Sequence, residues 1–179
     1  MVYYKWRKYL DSEIELCPIE LAGRGSRLEN PFYESIHDAV EDIFQIIKND
    51  LEGDYALFGH SMGSWLALEL ALKLKKMGYN DPLHVFFSGN RAPHMIRNEK
   101  VLHLLPDDEF IQEIYKIGGT SEELMNNKDL LDFFIPIVKS DYKIIETYQF
   151  VNHDTYLDCD ISVLNGVEDD LTDEELILI

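Results

Sequence analysis

Tyr55-Ala56-Leu57-Phe58-Gly59-His60-Ser61-Met62-Gly63 decides the reading of this chain. Tyr55 to Phe58 is a short apolar run suited to a buried strand, and it meets glycine at once. Beyond it Trp65, Leu68 and Leu72 mark a strongly apolar helix, with Glu69 and Lys73 spaced for an i,i+4 pair and Gly78 placed to end it. Gly59 to Gly63 is therefore G-x-S-x-G in the one context that gives the pattern meaning, a buried strand before it and a helix after it. A sharp strand-to-helix turn holds Ser61 in strained backbone geometry with its hydroxyl outward, and flanking glycines let neighbouring chain pass closely. The helix N-terminus aims amide dipoles at an oxyanion formed in acyl transfer, which makes the Met62 N–H one expected donor of an oxyanion hole. A serine that merely caps the helix is the competing reading, but a cap needs neither glycine.

Working outward, the elements alternate. Ser35 with Asp38 reads as a helix start, followed by Ile36, Ala39, Val40, Ile43 and Ile47 at helical spacing to about Asp50. Leu83 to Ser88 is a second apolar strand, and Ile161 to Leu164 a third. Apolar strands alternating with helices indicate an α/β fold with a mostly parallel sheet covered by helices on both faces. Between the last two strands, Pro106 to about Phe150 keeps a helical period. Starts fall at Pro106-Asp107-Asp108-Glu109 and Thr120-Ser121-Glu122-Glu123, which makes the block a helical insertion. At the front, Tyr3, Trp6 and Leu10 share a helical face. The alternation of Ile14, Leu16, Ile19 and Leu21 then predicts a strand, which Pro18 confines to a sheet edge. Gly23-Arg24-Gly25-Ser26-Arg27 is a loop.

The 179 residues suffice for one domain with a sizeable core, and no repeat or linker divides residues 1–179. With 16 Lys+Arg against 34 Asp+Glu the formal charge is −18, which argues against nucleic acid or an anionic membrane surface as partner. The two cysteines, Cys17 and Cys159, form no CxxC pair and read as reduced, buried, structural thiols, suiting a cytoplasmic protein. Nothing has the spacing of a metal-ligand set, and no metal or cofactor is expected.

A nucleophilic serine needs a base and a carboxylate to orient it, in chain order Ser, acid, His. Gly166-Val167-Glu168-Asp169-Asp170 puts carboxylates at the carboxyl end of the last strand, where such sheets build their sites. Asp169 is the choice, Asp170 the second, and a solvated acidic turn the competing reading. All six histidines, His37, His60, His84, His94, His103 and His153, precede Asp169. His60 should point away from the Ser61 hydroxyl; His94 and His153 could line the entrance; none is assigned as base.

Several segments together resemble the type II thioesterases, the stand-alone α/β-hydrolases that accompany nonribosomal peptide and polyketide synthetases. They are residues 16–27, Phe58 to Gly63, Phe87-Ser88-Gly89-Asn90-Arg91-Ala92-Pro93-His94, Leu105 to Phe110, and Asp141-Tyr142 running to Glu146-Thr147-Tyr148. The resemblance implies an α/β-hydrolase fold whose helical insertion, about 94–150, is a lid. It implies hydrolysis of acyl or aminoacyl thioesters on the phosphopantetheine arm of acyl or peptidyl carrier proteins, an editing role in antibiotic biosynthesis, and a monomer when complete. By that pattern Ser61 is the nucleophile, Asp169 the acid and Met62 N–H an oxyanion donor. The chain departs from the family in three respects. The expectation is that the first strand with its Gly-rich loop and the C-terminal strand-helix unit are missing. The Gly-Gly-His-Phe segment that supplies the base is absent, leaving the activity of the chain alone in question. Asn90 stands where the family often has Arg. A general carboxylesterase, or a remnant that only docks a carrier protein, are the alternatives.

Overall fold

The computed structural model describes residues 2–95, 100–118, 125–151 and 156–167. Two compact units divide the chain, Met1–Phe32 and Tyr33–Ile179.

In the first unit, Val2–Lys8 forms a 3-10 helix in which the Tyr3 and Trp6 rings meet edge to face at 5.2 Å. The alternating segment from Ile14 to Leu21 is not a strand, contrary to its pattern. Alternation signals one half-buried face but supplies no ladder, and Pro18 withholds a donor from any strand pairing there. The loop that follows is held from within. Glu20 accepts from the Ser26 hydroxyl at 2.6 Å and the Ser26 N–H at 2.9 Å, which keeps the Glu20 carboxyl below the usual carboxylate range. Arg27 donates to the Glu20 carbonyl at 3.0 Å.

The second unit carries the sheet. Its strands β1 (Ala56–His60), β2 (His84–Ser88) and β3 (Asp160–Leu164) are parallel in the order β1-β2-β3. The register pairs His60 with Ser88 and Ser88 with Leu164, so the three strands end level. Helix α1 (Ile36–Ile47) starts where expected, Ser35 Oγ accepting from Asp38 N–H at 3.1 Å, and buries Ile36, Ala39, Val40, Ile43 and Phe44. Helix α2 (Met62–Lys76) packs on β1 and β2, and α1 packs on α2. The core beneath α2 joins Ala67, Ala71 and Val85 with Leu57, Phe87, Leu157 and Cys159.

Two sequence expectations change here. Glu69 and Lys73 do not pair along α2. Lys73 reaches across to Glu41 of α1 at 2.7 Å, and Glu69, whose side chain is 7% exposed, turns inward to accept from the Tyr148 hydroxyl at 2.5 Å. Helix–helix packing presents closer partners than the next turn does. Cys17 is exposed and Cys159 half-buried, and neither is in a disulfide, so the pair is not a set of buried thiols.

The block between β2 and β3 contains helix α3 (Asp107–Ile117) and helix α4 (Lys128–Glu146), the latter capped by Asn127 and carrying Pro136 inside it. Thr120 to Glu123 lies outside the described residues. This block has a core of its own: Leu102, Phe110 and Ile135 pack with Leu131, Val138 and Tyr142, apart from the cluster under α2. Glu146 closes it by accepting from Leu102 N–H at 2.8 Å, His103 N–H at 3.1 Å and the His103 ring at 2.5 Å. Among the described residues no helix is long and apolar enough to cross a membrane.

Candidate active site

Because the three strands end level, Ser61, Gly89 and Asn165 emerge side by side at the carboxyl end of the sheet. Ser61 joins β1 to α2 with φ 54° and ψ −122°, and it is the sole non-glycine residue with positive φ among those described. A non-glycine residue in such a region costs on the order of 1–3 kcal/mol and persists only where its surroundings impose it. The impositions are visible. Ser61 N–H donates to the Ser88 carbonyl at 2.8 Å, and the Ser61 carbonyl accepts from Ser64 N–H at 2.9 Å and from the Asn90 side-chain amide at 2.8 Å. Beneath, the buried Ser64 hydroxyl sits 3.1 Å from the Gly59 carbonyl and 2.9 Å from the Ser88 carbonyl, stapling the helix start to both strand ends. A Cβ on Gly59 would lie 2.0 Å from the Gly63 carbonyl oxygen, so only glycine lets the first turn of α2 fold back over β1.

The serine side chain makes no capping bond to α2, which removes the reading of Ser61 as a plain helix cap. The residue is exposed. The Met62 N–H opens the helix, where backbone donors lack intrahelical acceptors and carry the positive end of the dipole. A carbonyl carbon attacked by Ser61 would form its oxyanion beside that donor.

The histidines divide by partner. His60 turns from the serine, its Nδ1 3.1 Å from the Ser88 hydroxyl and its ring against Gly89, whose φ is +60° and where a Cβ would stand 2.6 Å from the ring. His84 bonds Ser162 at 2.9 Å and stacks on Phe86, and His103 bonds Glu146. His37 is exposed on α1, with Nδ1 3.9 Å from Glu69, and His94 is exposed beyond β2. Asp169, Asp170 and His153 lie outside the described residues. Residues 165–167 leave β3 beside Gly89, whose N–H donates to the Leu164 carbonyl at 2.8 Å, at the same sheet end as Ser61.

Residues to which sequence reasoning gave no role at the site also shape it. Asn90 grips the elbow through Ser61. Trp65, one turn along α2, donates from its ring to the Arg91 carbonyl at 3.3 Å and packs against Tyr148 with ring centres 5.1 Å apart. Tyr148, just past α4, is bonded to Glu69; burial first and then that bond push its phenol well above the usual range. Together these contacts fix the end of the helical block to the elbow helix.

The thioesterase domain family matches residues 1–176. Among curated relatives, the linear gramicidin dehydrogenase LgrE of Brevibacillus parabrevis is 33% identical over 94% of this chain. The gramicidin S biosynthesis protein GrsT of Aneurinibacillus migulanus is 30% identical over 93% of it. The chain spans 65% of the length of each. Of solved structures, ClbQ from the colibactin NRPS/PKS pathway superposes with a TM-score of 0.92 at 42% identity, covering 98% of this chain and 74% of that one. BorB, the type II thioesterase of the borrelidin biosynthetic cluster, gives 0.84 at 28% identity, covering 97% and 70%. A strained serine between a parallel strand and its helix, and a match running almost end to end, agree: the chain belongs to the thioesterase domain family.

Proposed function

We propose that this protein hydrolyses acyl or aminoacyl thioesters carried on the phosphopantetheine arm of carrier proteins, clearing mischarged arms in nonribosomal peptide and polyketide synthesis. The observation that carries the proposal is the backbone of Ser61, held at positive φ by bonds on both sides. Support for the substrate class comes from the likeness to ClbQ of the colibactin NRPS/PKS pathway and to BorB, a type II thioesterase of the borrelidin biosynthetic cluster.

In this mechanism Ser61 Oγ attacks the thioester carbonyl while its proton passes to a histidine base, which the family pattern places in the Gly-Gly-His-Phe segment and which Asp169 would orient. The Met62 N–H stabilises the oxyanion, and collapse of the intermediate expels the phosphopantetheine thiolate, which takes up a proton. Water then attacks the acyl-serine ester, releasing the free acid and restoring the Ser61 hydroxyl. The arm arrives with its carrier, so the protein needs no cofactor of its own. The helical block of about 94–150 serves as the lid. Its separate core around Phe110 and its anchorage through Tyr148 suit a body that covers the acyl group as one piece.

The test compares an acyl-phosphopantetheinyl carrier protein with a simple ester of the same acid, for the chain extended by a Gly-rich loop unit and a Gly-Gly-His-Phe unit and for the Ser61→Ala variant of that protein. Hydrolysis of the carrier thioester in preference to the ester, abolished by Ser61→Ala, is the expected result. Equal turnover of both would make the protein a general carboxylesterase, and turnover that survives Ser61→Ala would remove Ser61 from the chemistry.

A further inference from the structure

We propose that Asn90 is a positioning residue for the oxyanion donor: its side-chain amide, bonded to the Ser61 carbonyl, sets the direction of the Met62 N–H. The proposal rests on the reading of Ser61 as nucleophile and extends it to a residue outside the G-x-S-x-G motif.

The Ser61 carbonyl and the Met62 N–H belong to one peptide unit. That unit is planar and trans, so its oxygen and its hydrogen point in opposite directions. Whatever holds the oxygen therefore aims the hydrogen. Asn90 Nδ2 donates to that oxygen at 2.8 Å, and Ser64 N–H donates to it at 2.9 Å. The second bond belongs to the first turn of α2 and moves with the helix. The first comes from a different strand end and fixes the peptide relative to the sheet. Asn90 is itself pre-set, because its Oδ1 accepts from Arg91 N–H at 2.9 Å and the preceding Gly89 is tied to Leu164 at 2.8 Å. An amide with both ends engaged has one orientation to offer. Donation to the carbonyl also polarises the peptide, which strengthens its N–H as a donor on the other side.

Asn90→Asp is the discriminating variant. It keeps the shape and the acceptor for Arg91, removes the donor, and sets a carboxylate against the Ser61 carbonyl. Two readouts are taken on the full chain. One is the rate at which a fluorophosphonate labels Ser61, a reaction that builds charge on oxygen in the same hole. The other is hydrogen exchange at the Ser61 and Ser64 amides, which donate to the Ser88 and Ser61 carbonyls, with the buried Val85 of β2 as internal reference. At pH 8 the variant should label about ten-fold or more slowly than wild type and exchange Ser61 and Ser64, whose N–H groups are bonded at this peptide, faster by a similar factor, with Val85 unchanged. Lowering the pH to 5 begins to protonate the new carboxyl, restores a donor and should bring the ratio to wild type back toward one. Taking that ratio at each pH cancels pH effects common to both proteins.

Asn90→Ser, which is too short to reach the carbonyl, should show the same loss without the pH-dependent recovery, and it serves if the aspartate variant does not fold. Unchanged labelling and unchanged exchange in both variants would overturn the proposal. Labelling that survives Ser61→Ala would instead defeat the nucleophile reading, whereas a wild-type chain that resists labelling would show only that Ser61 has no base to activate it. Exchange at Ser61 and Ser64 would still decide whether Asn90 holds the peptide.

Discussion

Gly59 and Gly63 flank Ser61 symmetrically in sequence and serve different ends in space. A methyl group on Gly59 would drive into the Gly63 carbonyl at 2.0 Å, whereas one on Gly63 would meet nothing within 4 Å. Gly59→Ala should therefore destabilise the protein by about 2–3 kcal/mol or prevent the elbow from closing, as overpacking against backbone does. Gly63→Ala, at a helical position, should leave stability within about 1 kcal/mol of wild type or raise it. If the open space over Gly63 is where the acyl carbonyl sits, Gly63→Ala should still lower kcat/KM. Urea denaturation with carrier-thioester kinetics on both variants separates the roles, and a Gly63→Ala protein as unstable as Gly59→Ala would refute the assignment. The motif was legible in sequence as a pair of equal glycines. Only the path of the helix backbone over β1 shows which one the fold requires.

At the scale of elements, the end of α4 is where the helical block meets the elbow helix. Tyr148 packs on Trp65 and satisfies one oxygen of Glu69, a carboxylate with 7% of its side chain exposed. Tyr148→Phe keeps the ring contact and deletes the hydroxyl, leaving that oxygen buried and unpaired, which costs about 1–3 kcal/mol. The expected outcome is a loss of that size in urea, with Trp65 fluorescence altered at its new surroundings. A Tyr148→Phe protein as stable as wild type would show that water replaces the hydroxyl and that the strut carries no load. The elements themselves were mostly readable beforehand. The period of α1 with its Ser35 cap, the three strand runs and the start of α3 at Pro106 all come from local signals, and local physics determines them. What failed was non-local. The segment from Ile14 to Leu21 alternates like a strand without pairing as one, and the Glu69–Lys73 spacing was overruled by α1 and Tyr148, partners distant in sequence. Asn90 belongs to the same class, since nothing in its sequence neighbourhood announces a bond to a residue on another strand.

The whole molecule carries a formal charge of −18 on 179 residues, and its proposed partner is of a kind that is commonly acidic. Two like-charged bodies repel at range, which lowers the encounter rate and leaves the docked contacts unaltered. Salt shortens that range: the Debye length is about 30 Å at 0.01 M and about 10 Å at 0.1 M. With an acidic acyl-carrier protein, KM should therefore fall several-fold between roughly 10 and 200 mM salt while kcat stays nearly constant, because screening acts on approach and the reacting atoms are already in contact. A neutral small-molecule thioester of the same acyl group feels no such repulsion and should show a flat KM over that interval. The pair of substrates isolates the carrier's charge from any effect of salt on the site. A KM that instead rises with salt for the carrier alone would mean that a local cationic patch dominates the docking face despite the net charge. Lysine-to-glutamine scanning would then find the patch as the substitution that removes the salt dependence.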